Sequence, residues 1–168
     1  MPGIMNESSF YCHCESPIGK LLLVASKRGL GQIWFEGQTH KAALRDDCHE
    51  DSTALREAVG QLRAYFAGEL ENFDLHLAPE GTPFQQKVWN ELLKIPYGET
   101  ISYGDLARRI GNPNASRAVG LANGSNPIPI IIPCHRVIGS NGKLTGYGGG
   151  LPIKEKLLAL EKRQLCLL

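Results

Sequence analysis

A run of β-branched residues bracketed by prolines restricts how the second half of this chain can fold. It covers residues 126–138, reads NPIPIIIPCHRVI, and contains three prolines. Each proline fixes its own φ, lacks an N–H donor and keeps the preceding residue out of the helical region. Isoleucines between such prolines favour an extended, apolar segment at a sheet edge. We therefore predict a short strand that ends at Cys134.

Cys134 is followed directly by His135 and Arg136, and a glycine-rich loop lies a few residues downstream. A thiol becomes a strong nucleophile when a nearby base or positive field favours its thiolate. A free cysteine beside isoleucines is also typical of an inert core residue. The residues themselves leave both interpretations open.

Several separate motifs in the second half support the first interpretation. They are FQQKVW (84–89), IPYGET (95–100), SYG (102–104), PCHRV (133–137) and GYGGGL (146–151). In this order they resemble the O6-alkylguanine-DNA alkyltransferases, over residues 82–161, roughly half of the chain. The resemblance implies DNA repair by direct, stoichiometric transfer of the alkyl group from O6-alkylguanine to Cys134. O4-alkylthymine is left open as a second substrate.

The resemblance also implies roles for residues around Cys134. His135 would be the base, acting through a bridging water, with Glu161 on its other ring nitrogen. Neighbouring strand residues face opposite ways, so a direct contact between Cys134 and His135 would be awkward. Asn126 would tie the active-site turn to a helix-turn-helix. The implied substrate-binding groups are the Tyr103 hydroxyl as a ring donor, the Val137 carbonyl for the exocyclic amine, Tyr147 beside the alkyl pocket, and the Gly148 N–H near O6.

Two short helices, over 103–110 and 116–123, are predicted on either side of a turn at 111–114. This pattern indicates a helix-turn-helix, although an ordinary αα-hairpin would produce it too. Ser102 is predicted to cap the first helix. The resemblance implies minor-groove binding and nucleotide flipping, with Arg117 filling the space that the flipped base leaves. The other predicted DNA contacts are Ser116, Ala118, Asn123, Gly124 and Ser140.

Charge is divided unequally along the chain. Residues 1–83 contain 7 Lys/Arg against 12 Asp/Glu, a net −5, and residues 84–168 contain 11 against 5, a net +6. A polyanion would therefore meet the second half, unless the partition is accidental. The expected partner is double-stranded DNA carrying O6-alkylguanine. We expect a monomer in solution and leave cooperative binding along DNA open.

The first half predicts a supporting domain. Three strands, over 10–15, 20–26 and 30–35, suggest an antiparallel meander, and an amphipathic helix follows over 52–67 with Ser52 as N-cap and Gly68 as its stop. The fold class is then α+β. Residues 1–78 would form a ribonuclease H-like α/β domain, 79–83 a linker, and 84–168 a winged-helix-like DNA-binding and transfer domain. That domain would begin with a helix at Phe84 and end with one over 151–163.

The cysteines indicate neither disulfides nor a metal site. Five cysteines without framework spacing favour a reducing, cytoplasmic setting, and Cys12-x-Cys14 with Cys48 does not have zinc spacing. We expect no metal and no cofactor, and no apolar run has the length of a membrane span. Cys12, Cys14, Cys48 and Cys166 are expected to be exposed and unrelated to catalysis.

Three other functions fit parts of the sequence. A helix-turn-helix repressor or a lesion-marking alkyltransferase-like protein would bind DNA without chemistry, but the latter class lacks the cysteine. A cysteine hydrolase could use Cys134, His135 and Glu161, but it would turn over repeatedly and need an oxyanion hole. The transferase half of a methylation-responsive regulator would need a metal-bound site in the first half.

Overall fold

The computed structural model describes residues 8–39 and 44–166, with side chains described through Arg163. Its first half is a four-stranded sheet, formed by β1 (Ser9–Cys14), β2 (Leu21–Ser26), β3 (Gly29–Phe35) and β4 (His49–Glu50) in the order β3-β2-β1-β4. The meander β1–β3 is antiparallel, as predicted, and each of its strands lies within one residue of the expected bounds. β4 pairs parallel to β1, which the sequence did not predict because two residues carry no periodic signal.

Helix α1 (Arg56–Phe66) is shorter than predicted at its N-terminus. Ser52 is not its N-cap: residues 52–55 form turns, and the Asp51 carboxylate accepts from the N–H groups of Thr53 and Ala54, both at 3.0 Å. The Asp51 side chain thus competes with the predicted helical start. The predicted stop is confirmed, since Gly68 has φ +75° just beyond the helix.

Helix α2 (Pro83–Leu92) opens the second half one residue earlier than predicted. Thr82 caps it in a reciprocal capping box with Gln85, and Pro83 occupies the first turn, where a missing N–H costs nothing. Val88, Trp89 and Leu92 are its buried face. The Trp89 indole donates to the carbonyl of Ala122, which ties this helix to the later helix-turn-helix.

The helix-turn-helix is confirmed in helices α3 (Tyr103–Arg109) and α4 (Ser116–Gly124). Ser102 caps α3 as predicted, in a capping box with Asp105. The short strands β5 (Ile101–Ser102) and β6 (Val137–Ile138) pair in parallel, and α5 (Leu151–Cys166) ends the described chain. One apolar core joins both halves, from Leu23 and Ile33 to Leu106 and Ile132.

The predicted strand before Cys134 is wrong. Residues 127–133 form buried turns, with the Ile132 N–H donating to the Ile128 carbonyl at 3.0 Å and Ile130 at φ +74°. Three residues, Cys134–Arg136, then make one turn of 3-10 helix. The prolines remove the N–H groups that a sheet ladder needs, so the isoleucines are buried in the core without pairing. Cys134 and His135 therefore do not lie on opposite faces of a strand, and the predicted obstacle to a contact between them is absent.

The described cysteines are less exposed than predicted. Cys12 and Cys14 are buried in β1 and Cys48 is half-buried, so the expected exposure is wrong for all three. The side chain of Cys166 lies outside the described residues. Over the described ranges, no cluster of three or more His, Cys, Asp or Glu side chains could hold a metal ion. No described helix combines the length and hydropathy needed to cross a membrane.

Candidate active site

The carboxylate of Glu161 lies at the centre of a buried polar cluster. Helix α5 brings it, fully buried, against the 3-10 turn that carries Cys134. Its Oε1 atom accepts from the Tyr65 hydroxyl at 2.8 Å, from His135 Nε2 at 2.7 Å and from an Arg136 Nη at 2.9 Å. Its Oε2 atom accepts from Arg136 Nε at 3.0 Å. A carboxylate with this many donors is held in one position and one charge state.

Two opposing influences set the pKa of Glu161. Burial raises it, but the hydrogen bonds and charges of His135 and Arg136 outweigh burial and bring the pKa from 4.5 to about 2. Glu161 is therefore an anion at neutral pH, paired with a buried guanidinium.

The IPYGET motif supplies the other contacts of Arg136 and Glu161. Arg136 donates through its second Nη to the Ile95 carbonyl at 2.7 Å and lies 5.6 Å from the Tyr97 ring centre. The Gly98 N–H donates to Glu161 at 3.3 Å. A buried guanidinium is expensive unless its donors are paired, and this motif pairs the ones that the carboxylate leaves. The contacts of the IPYGET motif with Arg136 therefore explain why the motif lies close to Cys134 in the fold.

His135 is oriented so that one ring nitrogen remains available. Its Nε2 faces the Glu161 carboxylate, which favours the proton on Nε2. Burial lowers the pKa of His135 from 6.5, only partly offset by Glu161, so the ring is neutral at pH 7. Nδ1 is buried and has no hydrogen-bond partner among the described residues. It carries the lone pair of a general base.

Cys134 is buried, with 5% of its surface exposed, and lines a cavity. Burial raises the pKa of its thiol to about 11, although a hydrogen bond from Asn126 and the charge of Lys154 act in the opposite direction. The resting group is therefore a thiol, which would have to lose its proton to act as a nucleophile.

Lys154 is a buried cation close to this thiol. Its side chain is fully buried, and Nζ donates to the carbonyls of Val137 at 2.7 Å and Thr145 at 2.9 Å. Burial lowers the pKa of Lys154, and the negative charge that Cys134 carries as a thiolate acts in the opposite direction. The Val137 carbonyl, predicted as an acceptor for the base, thus already accepts one hydrogen bond and keeps its second lone pair.

Asn126 ties the turns before Cys134 to helix α4. Its Nδ2 donates to the Ile132 carbonyl at 2.7 Å and its Oδ1 accepts from the Ile128 N–H at 3.0 Å. Its own N–H donates to the Asn123 carbonyl near the end of α4, at 3.4 Å. Asn126 thus joins these turns to the end of α4, and its part in the reaction stays a prediction.

A cavity of about 300 Å³ opens beside Cys134. Tyr147 and Gly148 line it from the glycine-rich loop, Pro129 from the turns, and Trp34 from β3. Asn123, also on its wall, is buried, and its Nδ2 donates to the Cys134 carbonyl at 3.4 Å. The Asn123 Oδ1 and the Tyr147 hydroxyl are buried without a partner among the described residues. Unpaired polar atoms on a cavity wall are typical of a site that binds a polar ligand.

The predicted site residues fall into two groups. Cys134, His135, Glu161, Asn126, Val137, Tyr147 and Gly148 lie together at or around the cavity. Tyr103, at the start of α3, is not among the residues that line the cavity, and its hydroxyl accepts from Thr145 Oγ1 at 3.1 Å, outside this group.

The predicted DNA contacts lie apart from this group, with one exception. Arg117, Ala118 and Gly124 are exposed and Ser116 is half-exposed on α4, and Ser140 is exposed on the turn after β6. Asn123 does not share this surface, because its side chain is buried on the cavity wall. The prediction that Asn123 lies on the exposed surface of α4 is therefore wrong, and its side chain lies on the wall of the cavity beside Cys134.

Three buried residues that lie around Glu161 and Cys134 were given no role from the sequence. Tyr65 lies in the first half, 96 residues before Glu161, and nothing local marks it. Arg136 and Lys154 were counted among the positive charges of the second half, yet both are buried. The adjacency of Arg136 to the cysteine was the one available signal.

Comparisons with known proteins match both halves of the chain. A family model described as "6-O-methylguanine DNA methyltransferase, ribonuclease-like domain" matches residues 9–79, and one described as "6-O-methylguanine DNA methyltransferase, DNA binding domain" matches residues 83–163. A methylated-DNA–protein-cysteine methyltransferase of Methanosarcina acetivorans is 59% identical over 90% of this chain and 97% of its own length.

The corresponding Mycobacterium tuberculosis protein is 56% identical over 90% of this chain and 92% of its own length. A crystal structure of Mycobacterium tuberculosis OGT in complex with DNA superposes with a TM-score of 0.86 at 55% identity, over 92% of this chain and 94% of that one.

Proposed function

The chain belongs to the O6-alkylguanine-DNA alkyltransferase family, and we propose that it repairs O6-alkylguanine in duplex DNA by moving the alkyl group onto Cys134. DNA repair by alkyl transfer to a cysteine is the activity of a methylated-DNA–protein-cysteine methyltransferase. The observation that carries the choice of residue is the thiol of Cys134 on the cavity wall, next to a neutral histidine held by a buried carboxylate.

The residues support a proton relay that begins at the thiol. His135 Nδ1 takes the thiol proton through a bridging water, while Glu161 holds Nε2 and stabilises the imidazolium that forms. Sulfur then bonds to the alkyl carbon as the bond from that carbon to O6 breaks. The departing guanine gains one proton at its ring, for which the Tyr103 hydroxyl is the predicted donor. The thiol proton thus ends on His135, and the proton on guanine comes from Tyr103. The imidazolium then releases one proton to water and the phenolate takes one from water, so both groups return to neutral.

The leaving base needs hydrogen bonds that strengthen as negative charge develops on it. The Gly148 N–H is the predicted donor to O6, and the Val137 carbonyl is the predicted acceptor for the exocyclic amine. The resulting thioether has no easy hydrolytic exit, so each protein molecule accepts one alkyl group.

Access to the base requires flipping. A carbon on O6 of a stacked guanine lies out of reach of a buried thiol, so the nucleotide must leave the duplex and enter the cavity. The exposed α4 surface, with its small residues, suits the minor groove, and Arg117 would occupy the space that the base leaves. Minor-groove contacts carry little sequence information, which suits repair at any guanine.

Stoichiometry is the first test of this function. With duplex O6-methylguanine in tenfold excess, we expect repaired guanine to reach a plateau at about one equivalent of protein and then stop. Chromatography of the digested DNA measures the plateau. A cysteine hydrolase would continue to turn over, and a lesion-marking protein would bind the duplex and repair nothing.

The pH dependence of transfer tests the role of His135. With a thiol pKa of about 11, the fraction of thiolate rises about tenfold for each pH unit between 7 and 10, and without a base the transfer rate would rise in proportion. With His135 as base, we expect the rate with free O6-benzylguanine to stay flat over that range. It falls only below the lowered pKa of His135, where the ring becomes protonated.

His135→Gln is the matched variant for this profile, because it removes the base and leaves the thiol. We expect it to be slow at pH 7 and to gain rate with rising pH. A wild-type rate that climbs in proportion to thiolate would argue against His135 as the base.

Arg117→Ala tests flipping. We expect it to slow repair of duplex O6-methylguanine by about 100-fold, because flipping costs a few kcal/mol that the arginine helps to offset. Reaction with free O6-benzylguanine should stay within about twofold, since the free base needs no flipping. Arg109→Ala removes another exposed arginine of the helix-turn-helix and serves as control for charge alone. Equal losses of Arg117→Ala on both substrates would assign Arg117 to the pocket or the fold.

A further inference from the structure

The cavity beside Cys134 is built by both halves of the chain. Trp34 and Phe35 at the end of β3, and Gln38 in the turn that follows, line it together with Tyr147 and Gly148. From the sequence, we predicted only a supporting role for the first half. Its contribution to this wall raises the question of what these residues do for the reaction.

Gln38 is held in place at its acceptor end. The Phe35 N–H donates to its side-chain Oε1 at 2.8 Å, and its own N–H donates to the Phe35 carbonyl at 3.2 Å. Gly37, at φ +85°, allows this tight turn. With Oε1 fixed against β3, the amide group has one orientation and its N–H donors point away from the strand.

The donor end of Gln38 reaches the glycine-rich loop. Its Nε2 donates to the carbonyl of Gly148 at 2.8 Å, across 110 residues of sequence. Gly148 is the residue whose N–H is the predicted donor to O6 of the substrate. The side chain of Gln38 therefore links the end of β3 to the group that would stabilise the leaving base.

This loop depends on outside contacts for its position. Residues 146–150 contain four glycines, and such a segment loses much conformational entropy when it is ordered. Phe35 supplies the other contacts: its ring centre lies 5.7 Å from that of Tyr147, and a Cβ built on Gly149 would lie 2.8 Å from the ring. The loop is thus packed on Phe35 and hydrogen-bonded to Gln38.

We propose that Gln38 is a positioning residue for alkyl transfer, which holds the loop of residues 146–150 so that the Gly148 N–H meets O6 of the bound guanine. The inference rests on the proposed function. A hydrogen-bond donor stabilises a leaving group only when it is already in place as charge develops. Without the Gln38 contact the loop has more conformations, and a smaller fraction of them present the N–H.

The test compares three variants with the wild-type protein. Gln38→Met keeps the length of the side chain and removes its hydrogen bonds to the Phe35 N–H and the Gly148 carbonyl, and Gln38→Lys restores a donor for that carbonyl. Gln61→Met is the matched control, because Gln61 also bridges two backbone groups, the N–H and carbonyl of Asp74, but does not line the cavity.

We expect Gln38→Met to slow transfer about 5- to 10-fold, both from duplex O6-methylguanine and from free O6-benzylguanine, since the loop acts on the base and not on DNA. Labelling of Cys134 by iodoacetamide, which has no guanine to release, should stay within about twofold of wild type. Gln38→Lys should recover most of the transfer rate, and Gln61→Met should leave it within about twofold.

Two results would overturn the proposal: unchanged transfer in Gln38→Met, or an equal loss in iodoacetamide labelling, which would indicate a general disturbance of the cavity. Absence of transfer by the wild-type protein would instead overturn the proposed function, and the role of Gln38 with it. The wild-type measurement separates these cases.

Discussion

Cys134→Ala is expected to reduce alkyl transfer below detection while duplex binding stays within about twofold of wild type. The substitution removes the only atom that the proposed reaction bonds to the alkyl carbon, and no other group described at the cavity is a comparable nucleophile. It leaves the α4 surface and the Glu161 cluster intact. Loss of one buried sulfur should cost about 1 kcal/mol of folding free energy, well within what a domain of this size tolerates.

Cys12→Ala is the matched control for this result. Cys12 is also a buried, free cysteine, but it lies in β1 and does not line the cavity. We expect it to transfer one full equivalent at the wild-type rate. A duplex with labelled O6-methylguanine measures transfer, and a gel-shift assay measures binding. If Cys134→Ala still accepts the label, the acceptor is another residue.

Glu161→Gln is expected to destabilise the protein by about 3–5 kcal/mol at pH 7, because it leaves the Arg136 guanidinium buried without its anion. The side-chain amide of this variant also places an NH₂ group against hydrogen-bond donors that contact a carboxylate oxygen in the wild-type protein. Transfer should slow in the same variant, since His135 loses the partner that holds its Nε2. Urea denaturation measures the first effect and the rate with O6-benzylguanine the second.

Glu155→Gln, on an exposed position of the same helix α5, is the control for loss of one negative charge, and its stability should change by less than about 0.5 kcal/mol. Similar urea midpoints for the two variants would mean that the Glu161 cluster contributes little net free energy to the fold.

Because the pKa of Glu161 is lowered in the folded protein, we expect the free energy of unfolding of the wild-type protein to fall at acid pH. Because the carboxyl binds its proton more weakly in the folded than in the unfolded state, its contribution is complete above pH 4.5 and is lost as pH falls towards 2. A drop in pKa from 4.5 to about 2 corresponds to about 3 kcal/mol. His135 adds to this pH dependence, since its lowered pKa makes acid favour the unfolded chain below pH 6.5. In Glu161→Gln, the free energy of unfolding should no longer show the part of this pH dependence that Glu161 contributes below pH 4.5.

Local patterns predicted the elements whose stability is local. Apolar segments located β1–β3, amphipathic periodicity located α1, and the Ser102 cap marked the start of α3. The prediction of a strand within Asn126–Ile138 was wrong because β-branched residues favour a strand only where their N–H groups can pair. The prolines of this run prevent that pairing. The isoleucines entered the core as turns instead.

The site was predictable only as far as its motifs reached. The resemblance located Cys134, His135 and Glu161, which the structure brings together. Other residues of the site come from distant segments: Tyr65 on α1 contacts Glu161, Lys154 on α5 lies near Cys134, and Gln38 after β3 contacts Gly148. Such contacts depend on how α1, α5 and the sheet pack, and no spacing within one segment encodes them.

Intact-protein mass spectrometry, after mixing with a duplex that contains one O6-methylguanine, tests the central claim most directly. Peptide mapping then locates the added group. We predict a gain of one methyl group per protein molecule, confined to the peptide that contains Cys134 and saturating there. An unchanged mass with duplex binding retained, or a methyl group on any other cysteine, would contradict the account.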